Sequence, residues 1–222
     1  MDMSEGGLST SFADLVLLAV SVDCGRRLLQ NRFRANLRPG MDMCVRLQLI
    51  FSGRKSGKHI AATACAIGAI TAGAGALRFA GIHGPVKIIH NVFTDVSTLS
   101  SCLVYGLAFH YPGDLTNVAL WSTALAVLGS IGASLYIPFP IQEMLAGVTG
   151  TIGAGLIAHR CYTERKRSPR PVVYALAGLG LMMSCAGIGT RGSIGGILRI
   201  DLISYVVAGG MYLLTWAYTS MF

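Results

Sequence analysis

Ionisable side chains are rare in the long apolar stretches of this chain, and those few mark where chemistry would be done, since charge inside a membrane is costly. His90, Asn91 and Asp95 stand together in the run from Val86 to Phe109, with Asp95 deepest, about two and a half helical turns in. Asp201 opens the last apolar run, Arg78 closes the second, His83 follows it, and Glu143 opens the fifth. Carboxylate, imidazole and amide groups in such a setting suit a proton, a cation or a small polar solute. Thr94, Ser97, Thr98, Ser100 and Ser101 surround Asp95. Hydroxyls in a helix can bond the preceding turn's carbonyl, so this run fits neutral packing equally well.

Other chemistries find less support. A catalytic zinc normally takes three protein ligands, and here His83, His90 and Asp201 are the set within reach of one another. That keeps a lipid-modifying intramembrane enzyme as an alternative. Retinal needs a Schiff-base lysine in the last span, which has none. The Asp-Arg-Tyr and Asn-Pro-x-x-Tyr motifs of G-protein-coupled receptors do not occur. Gly53-Arg-Lys-Ser-Gly-Lys58 has three residues between its glycines and His59 after its lysine, so it is no phosphate loop. The six cysteines are scattered without CxxC spacing, and neither a disulfide framework nor a zinc site follows. No cofactor is expected.

The elements that must hold these residues are lipid-spanning helices. Of the 222 residues 53% are hydrophobic and only 13% charged, too little charge to coat a water-soluble fold of this size. Seven apolar runs predict spans at about Ser11–Leu29, Ile60–Ala80, Val86–Phe109, Leu115–Ile137, Ile141–Ala158, Val172–Ile188 and Ile200–Thr219. The first is the weakest, with a short apolar part, Leu15 to Val22, framed by Asp14 and Asp23. Met1 to Gly7 carries no base, so that run reads as a retained span and not a signal peptide.

The net charge of +8 is concentrated, with fourteen of the eighteen Lys and Arg between Arg26 and Lys58 or between Arg160 and Arg170. Nucleic-acid binding is therefore not expected. The positive-inside rule places both segments in the cytoplasm, as loops Gln30–His59 and His159–Pro171. In the first, Cys44–Phe51 could lie along the headgroups as an amphipathic piece. Anionic lipid is the expected partner of these loops.

Helices in lipid associate through close packing of small residues. Span 2 has Gly68, Ala72, Ala76 and Ala80 at helical spacing. Span 5 has Ala146, Gly150, Ala154 and Ala158, with Gly147, Thr151 and Gly155 beside them, and span 4 has Gly129 and Ala133. Such stripes serve packing within the chain or a homo-oligomer. Spans 1 and 5 each run into a basic loop, spans 2 and 6 each end in an Arg and Gly stretch, and Lys87 and Arg199 open spans 3 and 7. A 3+1+3 repeat around span 4 would account for this, as three-span repeats do in small transporters of the SWEET type, although no Pro-Gln dipeptide is present.

The sequence thus predicts an all-α, polytopic helical membrane protein, one transmembrane domain over residues 1–222 with seven transmembrane helices (six if span 1 fails to cross). Its N-terminus would be outside and its C-terminus cytoplasmic. The leading expectation is a small carrier or channel-like protein, with His90, Asp95, Asp201, Asn91 and Arg78 around a cavity between spans 2, 3, 6 and 7. A non-catalytic scaffold working through the small-residue faces is the remaining alternative.

Overall fold

A computed structural model describes residues 7–36, 57–82, 84–113, 117–188, 193–195 and 197–222. His83, Arg191, the Cys44–Phe51 piece and most of the Gly53–Lys58 stretch lie outside the described residues. Seven helices carry nearly all that is described: α1 (Gly7–Asn36), α2 (Lys58–Phe79), α3 (Pro85–His110), α4 (Asn117–Tyr136), α5 (Phe139–Glu164), α6 (Pro169–Ile188) and α7 (Arg199–Met221).

Each helix contains the core of one expected span, and local chemistry sets its ends. Pro85, Pro140 and Pro169 lie in first turns, where proline's missing N–H has no helical partner to lose. Gly81 and Gly84, with φ of 96° and 80°, turn the chain from α2 into α3, a backbone that side-chain-bearing residues rarely adopt. α5 continues past Ala158 to Glu164, helped by an Arg160–Glu164 pair of 2.9 Å one turn apart. The expected second basic loop, His159–Pro171, is therefore wrong in its bounds, and only residues 165–168 connect α5 to α6. The Gly-rich segment before α7 holds a small hairpin, with β1 (Ser193–Ile194) paired antiparallel to β2 (Ile197–Leu198). Gly195, at φ 58°, supplies the positive angle that a two-residue hairpin turn needs.

The helices pack in the order α1, α2, α3, α5, α6, α7 and back to α1, while α4 rests on α3. Direction follows from the contacts. Along α1 and α7, Ser9 meets Asp201, Asp14 meets Ser204 and Ser21 meets Met211, so the two run parallel. α3 and α5 are also parallel, with Cys102 at Gly150 and Gly106 at Gly153. The starts of α1, α3, α5 and α7 consequently share one end of the bundle. Arg26, Arg27, Lys58 and the 160–170 basic segment gather toward the other, where the Gly57 N–H donates to the Gly113 carbonyl at 3.2 Å.

The outer surface is apolar. Trp121, Leu125, Leu128, Tyr136, Phe139 and Met144 on α4 and α5 are mostly exposed, a surface suited to lipid and not to water. Five helices, α2, α3, α4, α5 and α7, are long and apolar enough to cross a membrane. α1 is less apolar, and its outer half mixes polar with apolar residues on the buried face while turning large apolar residues outward. It buries Thr10, Ser11, Asp14 and Ser21 and exposes Phe12, Leu15 and Val22.

Close approach occurs at particular glycines. A Cβ on Gly153 would collide with the backbone of Cys102 and stand 2.6 Å from the Leu103 nitrogen. Gly178 and Gly210 bring α6 and α7 together in the same way. The α5 stripe expected to pack is thus off by a turn of the face. Gly153, Ile157 and Cys161 are its buried line, Gly150 and Ala154 flank it, and Gly147, Thr151 and Gly155 point outward. Gly153→Ala should cost about 1–3 kcal/mol, because backbone gives way less readily than a side chain. Gly155→Ala, whose Cβ meets nothing within 4 Å, should be neutral. Thermal unfolding of both variants in detergent checks this.

Candidate functional site

The polar centre is built where α1 runs beside α7. Asp201 sits in the first turn of α7 and Ser204 one turn later on the same face. The Ser204 hydroxyl donates to Asp14 Oδ1 at 3.1 Å, and the Ser9 hydroxyl donates to Asp201 Oδ2. The pairs are crossed: each helix gives one hydroxyl and one carboxylate, and each carboxylate receives a proton donor from the other helix. Asp14 is 6% and Asp201 1% exposed.

Each carboxylate keeps one oxygen, Asp14 Oδ2 and Asp201 Oδ1, that is buried without a hydrogen-bond partner among the described residues. A buried charge without a counter-charge is strongly disfavoured. Two such carboxylates in one seam need a proton, a cation or both to occupy them stably.

α2 and α3 close this centre. Gly75 of α2 stands opposite Asp14, and a Cβ there would overlap Asp14 Oδ2 and come within 3.0 Å of His90 Cε1. The absent side chain at position 75 is what lets Asp14 and His90 approach. His90 Nδ1 is 3.3 Å from the Thr71 carbonyl oxygen, and the ring stands edge-on to Phe79 at 5.7 Å. Thr71 Oγ1 donates to the carbonyls of Ile67 and Phe93, both at 2.9 Å, fixing α2 against α3 beside the imidazole.

The expected site residues divide into three groups. His90 and Asp201 belong to the centre. Arg78 and Asn91 form their own contact at the bundle end, Arg78 Nη1 donating to Asn91 Oδ1 at 2.8 Å, with the guanidinium over Phe79. The alternative pairing of Arg78 with Asp201 does not occur; Ser9 holds Asp201 instead. Asp95 is half-buried and faces α4, accepting the Ser134 hydroxyl at 2.8 Å. It follows His90 by five residues, about 140° around the helix, so both cannot face one centre. The hydroxyls near Asp95 mostly bond their own helix, Thr94 to the His90 carbonyl, Thr98 to Thr94 and Ser100 to Val96. Glu143 is exposed on α5.

The sequence reading missed Asp14, taken as the frame of a short apolar stretch. The signal was available: Thr10, Asp14, Leu17, Ser21 and Cys24 recur at three- and four-residue spacing, one face of a helix with polar residues at its outer half. The centre therefore lies among α1, α2, α3 and α7, with α1 in the place expected for span 6. Among the described residues no three His, Cys, Asp or Glu side chains converge to hold a metal ion, and His83 lies outside them.

Fold and site together define a helical chain, five of whose described helices are long and apolar enough to cross a membrane, with a buried carboxylate pair in its core. Comparison with protein-family models, with curated proteins and with solved structures found no match.

The crossed pairs should be interdependent. Ser204→Ala and Ser9→Ala should each cost about 0.5–2 kcal/mol, the range of interhelical hydrogen bonds in lipid. Unfolding of the two single variants and the double variant in detergent measures this, and a non-additive double variant is expected because the four groups share one seam.

Proposed function

We propose that this protein is a small polytopic membrane carrier for a proton or a small cation, with the Asp14–Asp201 pair as its binding centre and His90 bordering Asp14. The observation that carries the reading is the pair of buried, unpartnered carboxylate oxygens held by crossed serine donors between two helices. A purely structural pair would use both oxygens of each carboxylate, as buried polar groups ordinarily do. Here each acid is held by one oxygen and leaves the other for a guest. Asp95 takes no part in this centre and serves the α3–α4 contact.

The same reading has seven helices crossing the bilayer. The faces of α1 support the first span, since a helix lying in water or at the headgroups would turn Phe12, Leu15 and Val22 inward and Asp14 outward. The N-terminus would be outside and the C-terminus cytoplasmic, with the basic segments meeting anionic lipid. A 3+1+3 repeat accords with the packing order. Exchanging α1 with α5, α2 with α6 and α3 with α7 maps the main helix contacts onto one another, and leaves α4 as the unpaired linker. The outward Gly147, Thr151 and Gly155 face is where a second copy would sit if the protein is a homo-oligomer.

In proteoliposomes carrying a membrane potential and an ion gradient, Asp14→Asn and Asp201→Asn should each lower flux by about a hundredfold or more, the lower range for losing a proton-handling group. Asp95→Asn should keep flux near the native rate. Native flux in Asp14→Asn would sink this reading. Topology has its own check. In a chain lacking other reactive thiols, Ser193→Cys should label with an impermeant maleimide from outside the cell and Arg167→Cys only after permeabilisation.

A further inference from the structure

The carboxylate pair is one end of a longer polar file. On α7 the buried residues Asp201, Ser204, Ala208, Met211, Thr215 and Tyr218 follow one another at three- and four-residue spacing. From Asp201 to Tyr218 this face spans about 25 Å, close to the hydrocarbon thickness of about 30 Å. Below the acids, the Ser21 hydroxyl of α1 reaches Met211 Sδ at 3.8 Å. Both crowd against Gly68 of α2, where a Cβ would lie 3.1 Å from Ser21 Oγ.

Deeper still is a hydrogen-bonded network from three helices. Cys65 Sγ of α2 is 3.2 Å from the Tyr105 hydroxyl of α3, and that hydroxyl is 3.2 Å from Thr215 Oγ1 of α7. Cys24 of α1 is buried in the same core, and its neighbour Gly25 stands against Cys65. All four are essentially inaccessible from outside. One turn beyond Thr215, the Tyr218 hydroxyl is again buried without a partner, beside the space left by Gly57 at the basic end of the bundle. Unpartnered polar atoms thus stand at both ends of the file.

The two polar halves do not touch. Between them each of three helices contributes one apolar residue at the same level: Leu17 between Asp14 and Ser21, Ala72 between Gly75 and Gly68, and Ala208 between Ser204 and Met211. All three are buried.

We propose that the seam of α1, α2 and α7 is a proton route, made of an acid half at Asp14 and Asp201 and a thiol–phenol–hydroxyl half at Cys65, Tyr105 and Thr215, closed between them by the apolar layer of Leu17, Ala72 and Ala208 and by Met211 below it. This rests on the carrier reading and selects the proton from the ions that reading allows. Hydroxyl, phenol and thiol groups each donate and accept, so a chain of them passes a proton by handing one on and receiving another. Nothing is oxidised, and the net change is one proton moved. A hard alkali cation needs several oxygen ligands, and soft neutral sulfur at Cys65 and Met211 serves it poorly. The apolar layer breaks the chain as a dry constriction does, and it opens when water or a helix movement bridges it.

The test uses the purified full chain in liposomes that enclose a pH-sensitive dye, with a potassium diffusion potential as the driving force. Native protein should carry protons inward, and the rate should not change when sodium replaces choline outside. Tyr105→Phe removes the central hydroxyl and should lower the rate about a hundredfold or more, as loss of a proton-transfer group does. Leu17→Ala thins the constriction and should raise it severalfold, a gain that misfolding cannot mimic once protein-free liposomes and a heat-denatured sample set the leak. Native rates in Tyr105→Phe, or a Leu17→Ala rate no higher than native, would overturn the route. If that happens while Asp14→Asn is inactive, the carboxylate centre stands and only the route falls. If Asp14→Asn is also native-like, both fall; if the ion carried is sodium, the proton route falls and the carboxylate centre stands.

Discussion

The structure depends on the meeting of α1 and α7 through two serine–carboxylate hydrogen bonds. In lipid a polar group has no solvent to turn to, so it is satisfied within the bundle or not at all. α1 carries Asp14 and α7 carries Asp201, and neither helix alone can pair its acid. Side by side and parallel, each lends a serine to the other. This contact joins the first helix to the last and closes the ring, with α2 and α3 held in place around it. It also explains how a helix with Asp14, Asp23, Arg26 and Arg27 belongs in the bundle. Asp14 faces inward, while Asp23 binds Arg27 at 2.6 Å and Arg26 at 3.2 Å on an exposed surface near the basic end.

Around that seam, packing is governed by where backbones can approach. Burial of apolar surface gives little drive toward helix association when lipid tails are equally apolar, so van der Waals fit decides. Gly106 lies against Gly153 and Gly178 against Gly210, each bringing main chain onto main chain. Gly68 and Gly75 do something different. They face side chains, Ser21 with Met211 in one case and Asp14 with His90 in the other. Glycines of the first kind bind helices together, and those of the second kind make room for polar groups inside the bundle. Both kinds look alike in the sequence.

This separates what the sequence made legible from what it did not. Helix number and placement were readable because apolar runs, proline starts and glycine turns are local signals. The gathering of basic residues at one end was readable for the same reason. Asp201 and His90 were noticeable because charge in an apolar run is conspicuous. Asp14 was not, because polar residues shorten an apolar run, and the same residues that build the centre made α1 look least like a span. Asp95 was overvalued because depth along a helix is visible in sequence while rotation against neighbours is not. Five residues from His90, it faces α4 and Ser134. The α5 packing line was misplaced for a related reason: a helix with small residues on several faces offers no rule for choosing among them.

Hydroxyl groups show how rotation sorts structural from functional polarity. Thr63, Thr94, Thr98, Thr123, Ser130 and Thr151 each donate to a carbonyl one turn back on their own helix. They are satisfied locally, cost little in lipid, and would be so on any neighbour-free face. Ser9, Ser21, Ser204 and Tyr105 reach another helix instead. Every one of these lies on the seam of α1, α2, α3 and α7. These donors trace the same line as the buried acids, whereas Ser134, which meets Asp95 between α3 and α4, lies off it. Of the two oxygens that the crossed pairs leave over at the acid end, Asp14 Oδ2 faces the space in front of Gly75 that His90 also borders.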